Sequence, residues 1–136
     1  MNAVDTNALL YVHDPRDAAK KAIADSVVKT LQDGVLLWQV ACKYISASRK
    51  LEPYGFSRAE AWQELRALQQ IWATRLPSWN VMQKAEVLLN RYSLSFWDAM
   101  IAAACLEAGV SHLYSEDFGG YFQIEGLLLI NPFKTP

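Results

Sequence analysis

Met1-Asn2-Ala3-Val4-Asp5-Thr6-Asn7-Ala8-Leu9-Leu10-Tyr11 is the stretch on which the fold turns. Met1 to Val4 is a short, mostly apolar run that ends at an acid, and it reads as a strand. Asn7 to Tyr11 reads as a helical turn following it. Val35-Leu36-Leu37-Trp38 is a second apolar run of strand length. It does not alternate with polar residues, as expected of a parallel strand covered on both faces. His112 to Ser115 and Leu127 to Ile130 are the remaining strand candidates. The segments between them carry helical signals. Asp14, Pro15 and Asp17 predict a helix capped by Asp14 that runs to about Gln32 and stops before Gly34. Gln39 to Leu51 repeats apolar residues at Val40, Tyr44, Ala47 and Leu51, and Pro53-Tyr54-Gly55 breaks it. Ser57 and Glu60 form a capping box for a helix with Ala61, Leu65, Leu68 and Trp72 inward. After Pro77 and Ser78, Val81, Ala85, Leu88 and Tyr92 mark another. Ser95 opens a strongly apolar helix that ends at Gly109. Short buried strands alternating with amphipathic helices predict a three-layer α/β domain with a mostly parallel sheet flanked by helices.

The composition bounds the functions open to such a chain. With 136 residues, 52% of them hydrophobic, residues 1–136 are expected to form one domain with a full core. A formal net charge of -1 excludes a grossly basic nucleic-acid binder but leaves room for a local basic edge. Cys42 and Cys105 have neither metal-ligand nor disulfide-framework spacing, which points to a reducing cytoplasm. Residues 1–12 have no basic region of the kind that opens a signal peptide. The longest apolar stretch, near 99–106, is too short to cross a bilayer.

Three acids stand where apolar elements begin or end: Asp5, Asp98 and Asp117. Each has an ordinary explanation. Asp5 suits an N-cap, Asp98 has capping-box spacing from Ser95, and Asp117 precedes Gly119-Gly120 in a turn. Asp5 ends the first strand and Asp117 follows the strand at 112–115. Both fall on the carboxyl edge of the sheet, where ligands bind in folds of this class. Asp98 opens a helix that is apolar nearly all round until Glu107. Carboxylates are costly beside apolar segments unless paired, hydrogen-bonded or bound to a cation. One shared divalent site explains all three together. Mg²⁺ and Mn²⁺ favour such oxygen donors, and phosphodiester hydrolysis uses these ions.

Several segments, taken together, resemble PIN-domain ribonucleases. They are Asp5-Thr6-Asn7-Ala8-Leu9-Leu10-Tyr11, Leu94-Ser95-Phe96-Trp97-Asp98-Ala99, Ala103-Ala104 to Glu107-Ala108-Gly109, Leu113-Tyr114-Ser115-Glu116-Asp117-Phe118 and Ile130-Asn131-Pro132-Phe133. Each is short; their order and spacing carry the likeness, which covers essentially the whole chain. It is nearest to the virulence-associated protein C toxins of bacterial toxin–antitoxin pairs. The resemblance implies a parallel sheet flanked by helices and Mg²⁺- or Mn²⁺-dependent RNA cleavage. It implies Asp5, Asp98 and Asp117 as catalytic and metal-binding acids, with Asn7 and Glu116 as auxiliary residues. It also implies a small antitoxin partner laid into a groove. Aromatic residues at Tyr54, Phe56, Trp62, Trp72 and Trp79 exceed what a helical pair can bury, so an interface and a homodimer are expected.

The chain departs from that family at Lys43. The family usually places a glutamate one turn into the helix after the second strand, where this chain reads Gln39-Val40-Ala41-Cys42-Lys43-Tyr44. At about 100° per residue, Lys43 lies about 60° from Val40, at the edge of the inner stripe. A cation thus stands near the inferred acids. A catalytically inactive PIN-fold protein that binds RNA or a protein partner is therefore the alternative to an active nuclease. A phosphate-handling enzyme or receiver domain using Asp5 is disfavoured, because no second acid follows two residues later. His13 and His112 read as structural or solvent-facing. Core packing is favoured over base stacking for Trp62, Trp72, Trp79 and Trp97.

Overall fold

The computed structural model describes residues 1–134. Its elements are β1 (Asn2–Val4), α1 (Thr6–Tyr11), α2 (Ala18–Thr30), β2 (Gly34–Leu37), α3 (Trp38–Ser48), a 3-10 segment (Arg49–Tyr54), α4 (Arg58–Ile71), β3 (Ala73–Arg75), α5 (Trp79–Arg91), α6 (Phe96–Ala108), β4 (His112–Tyr114), β5 (Gln123–Ile124) and β6 (Leu127–Ile130). The strands form one sheet in the order β3-β2-β1-β4-β6-β5. Every pairing is parallel except β5 with β6. Helices flank this sheet, as the sequence leads one to expect. From β1 the chain adds β2 and β3 on one side, and β4 then pairs with β1 on the other. The strand order therefore switches direction between β1 and β4, the point whose carboxyl ends bind ligands in folds of this class.

Packing follows the apolar patterns. Leu37, Leu113, Leu127 and Val35 bring the strands into the core, with Val40 and Tyr44 from α3. Every α6 residue from Ala99 to Cys105 is buried, so this helix is embedded rather than amphipathic. It packs on α5, while α1 packs on α2 and α3. Ser57 and Glu60 make both halves of the capping box of α4. Among the described residues no helix is long and apolar enough to cross a membrane.

Some expectations are corrected. The second helix starts at Ala18 with Asp17 as its cap, rather than at Pro15 with Asp14. The Asp14 carboxylate is occupied by Arg16, accepting from its amide at 3.0 Å and from Nε and Nη2 at 2.9 and 2.8 Å. A bidentate, charge-assisted grip of this kind outcompetes a neutral helix amide. Trp38 begins α3 instead of ending β2, and the helix through Leu51 divides into α3 and the 3-10 segment. Strands β3 and β5, three and two residues long, lie in stretches read as connections. Phe56 and Trp72 are buried, whereas Trp62, Trp79 and Trp97 are 44%, 79% and 65% exposed, so core packing does not account for the latter three.

Candidate active site

The register of β1 on β4 assembles the site. Asn2 pairs with His112, Ala3 with Leu113 and Val4 with Tyr114. One residue beyond, the Asp5 amide still donates to the Tyr114 carbonyl at 2.9 Å. This brings Asp5 beside Ser115, although 110 residues separate them in sequence. Ser115 Oγ donates to Asp5 Oδ2 at 2.9 Å and accepts from the Asp117 amide at 3.1 Å. The other Asp5 oxygen, Oδ1, accepts the Thr6 amide at 2.7 Å, so Asp5 also caps α1. One turn of α1 carries Asn7, whose Nδ2 donates to Asp117 Oδ2 at 3.0 Å. Asp98 sits in the first turn of α6, and its amide donates to Ser95 Oγ at 3.1 Å.

The electrostatics join all three acids. Asp5 is 4% exposed, and burial pushes its carboxyl above the usual carboxylate range. The Thr6 and Ser115 hydrogen bonds and the charge of Lys43 pull it back, while Asp98 raises it further. Asp98 is raised by partial burial and then by Asp117, against Ser95 and Lys43. Asp117 is raised by partial burial, then by Asp5 and Glu116, against Lys43 and Asn7. Like charges brought together in this way resist simultaneous ionisation. Among the described residues Lys43 is the one cation acting on all three. It is exposed and closes no salt bridge to any of them.

The oxygen donor set matches the chemistry of a hard divalent ion, which retains waters and needs few protein ligands. As the side chains stand, no group of three acid, histidine or cysteine side chains among the described residues is arranged to hold an ion. Asp5 and Asp117 are joined through Ser115 and Asn7 bonds Asp117 directly, whereas Asp98 is linked to them by its charge alone. Glu116 turns elsewhere, to Tyr11 and Lys20. The loop carrying Asp117 is strained: Phe118, buried at 2% exposure, adopts φ +83°. A bulky residue in that region costs on the order of 1–3 kcal/mol and persists only where its surroundings hold it.

Sequence reasoning assigned no role to Ser115, Tyr11 or Lys20. A serine two residues before an acid is a local turn signal. Its bond to Asp5 depends on strand pairing and leaves no mark in the local sequence.

Comparison with known proteins agrees with this architecture. No curated protein matches the chain. Among solved structures, a toxin–antitoxin complex from Klebsiella pneumoniae superposes with a TM-score of 0.75 at 15% identity, covering 99% of this chain and 100% of that one. VapC20 of Mycobacterium tuberculosis, described as a sarcin–ricin loop cleaving toxin, superposes with a TM-score of 0.67 at 18% identity, covering 88% and 92%. At these identities the likeness concerns the fold. The PIN domain family model matches residues 3–122. With that match over most of its length, the chain belongs to the PIN domain family.

Proposed function

We propose that the chain is a Mg²⁺- or Mn²⁺-dependent endoribonuclease toxin of a toxin–antitoxin pair, weakened by Lys43. The observation that carries this reading is the meeting of the acids at the carboxyl ends of β1 and β4, where Ser115 ties the Asp5 carboxylate to the Asp117 backbone and the charge of Asp98 is felt at Asp5. Acids held together against their own repulsion are the arrangement a cation relieves. Family membership and the toxins among the structural neighbours support it.

In this reading Asp5, Asp98 and Asp117 hold the ion. Ser115 orients the Asp5 carboxylate and Asn7 that of Asp117. An ion held by these acids would supply an activated water and charge compensation at the phosphate. Lys43 competes with it. A like charge near the site opposes a divalent ion more strongly than a monovalent one, although water screens an exposed ammonium. A flexible ammonium swings aside and reduces the penalty. A catalytically inactive PIN protein that binds RNA or a protein partner is the second reading, favoured by Lys43 and by the absence, among the described residues, of three acids arranged around one ion.

The partner assignments rest on surface chemistry. Trp38, Ala41, Ile45, Trp62 and Leu65 line an apolar cleft of about 450 Å³ between α3 and α4, suited to an antitoxin segment. A homodimer is the expected state of the free chain.

Cleavage of a single-stranded RNA in Mn²⁺ tests the assignment. Lys43→Glu should cleave faster than the unmodified chain, and adding Asp5→Asn should abolish the gain. Absence of cleavage by both the unmodified chain and Lys43→Glu would favour the non-catalytic reading.

A further inference from the structure

The site's neighbourhood contains a second cluster that the proposed chemistry does not use. Glu116 accepts a short hydrogen bond from the Tyr11 hydroxyl and a salt bridge from Lys20 Nζ at 3.0 Å. Lys20 Nζ also donates to the Tyr11 hydroxyl at 3.2 Å and lies 4.8 Å from the Tyr11 ring centroid and 5.8 Å from that of Phe133. Phe133 meets Tyr11 edge to face at 5.0 Å. Both oxygens of Glu116 are therefore engaged.

The placement of these groups ties the cluster to Asp117. Asn7 and Tyr11 are four residues apart on α1 and share a face. That face grips consecutive residues of one loop, Tyr11 holding Glu116 and Asn7 holding Asp117. The loop needs a grip, because Phe118 next in line is forced to φ +83°. Lys20 is placed for the task. The start of α2 at Ala18 puts it in the first helical turn, where its amide donates to Asp17 at 3.0 Å. A cation in that turn is opposed by the helix dipole, so an isolated helix would not favour it there. The Glu116 carboxylate supplies the compensating charge.

We propose that Lys20, Tyr11 and Glu116 form a clamp that positions the Asp117 loop for cation binding, with Glu116 a positioning residue rather than a cation ligand. The cation part rests on the proposed metal site; the clamp itself rests on the contacts. Partners behind a metal ligand commonly change affinity by about 10–100-fold when removed.

Two measurements on the same variants test this. The first is amide exchange of residues 115–118 in the unmodified chain, Lys20→Met, Tyr11→Phe and Lys20→Arg. The second is Mn²⁺ affinity of these substitutions in the Lys43→Glu chain, followed by the electron paramagnetic signal of the free ion. Lys20→Met and Tyr11→Phe should each speed loop exchange and weaken Mn²⁺ by about tenfold. Lys20→Arg should restore both, because the charge survives. Lys20→Met also relieves the helix-dipole opposition, so global melting need not fall with the local readouts. Unchanged exchange in both Lys20→Met and Tyr11→Phe overturns the clamp. Faster exchange with unchanged Mn²⁺ affinity overturns its link to the cation. If Lys43→Glu binds no Mn²⁺ at all, the metal reading fails, and exchange alone decides the clamp.

Discussion

At the scale of single residues, the site is a balance between burial, hydrogen bonds and charge. Asp5 illustrates it. Burial raises its proton affinity more than Thr6, Ser115 and Lys43 lower it. A carboxyl whose folded pKa exceeds its unfolded value binds more proton in the fold. It weakens the fold above the folded pKa, and the penalty vanishes as pH falls below the unfolded value of about 3.9. Asp5→Asn removes the charge, keeps one accepting oxygen for the Thr6 amide and turns its amide N–H toward Ser115 Oγ. It should raise stability at pH 7, with the gain shrinking toward pH 4. Denaturant unfolding at both pH values checks this, and a gain that grows on acidification would refute it. The position of Asp5 and Asp117 at the sheet edge was legible in the sequence because each stands just past a strand pattern. Lys43 was legible as the odd charge at the edge of an apolar stripe. Ser115 was not, because its importance comes from a partner 110 residues away.

At the scale of elements, patterns that depend on neighbours in sequence were readable and those that depend on neighbours in space were not. The capping box of α4, the embedded α6 and the apolar β2 and β6 all carry their signal locally. β3 and β5 do not, since three and two residues are too few to show a period, and they exist because an adjacent strand offers a hydrogen-bonding edge. The start of α2 was misplaced because Arg16 captures Asp14, a competition that propensity does not register. Gly34 was readable as a helix stop, yet the structure gives it a second task as the first residue of β2. A Cβ there would overlap the Trp72 indole, three of whose atoms lie within 2.7 Å of its position. Gly34→Ala should therefore cost about 1–3 kcal/mol by overpacking. An unfolding midpoint equal to that of the unmodified chain would show that Trp72 moves aside freely.

At the scale of the whole molecule, the strand order places the acids and the surface sets the partners. Because β1 and β4 are neighbours on either side of the switch in strand order, residues at opposite ends of the chain meet at one edge of the sheet. That much followed from the sequence, since acids at the ends of parallel strands share an edge. An excess of aromatics over 54–79 was expected too, but which tryptophans are exposed was not, because helical spacing alone does not say which face meets the sheet. Trp38, Trp62 and Trp79 leave apolar surface uncovered, so sedimentation should find the free chain as a dimer. A monomer at high concentration would contradict that expectation. The most direct test of the acid cluster as a cation site restrained by Lys43 is an Mn²⁺ titration of the unmodified chain beside Lys43→Glu. Weak binding by the unmodified chain and binding tighter by about tenfold or more in Lys43→Glu is expected, the gain coming from relieved repulsion and a restored carboxylate. Equal affinity, or tighter binding by the unmodified chain, would contradict it.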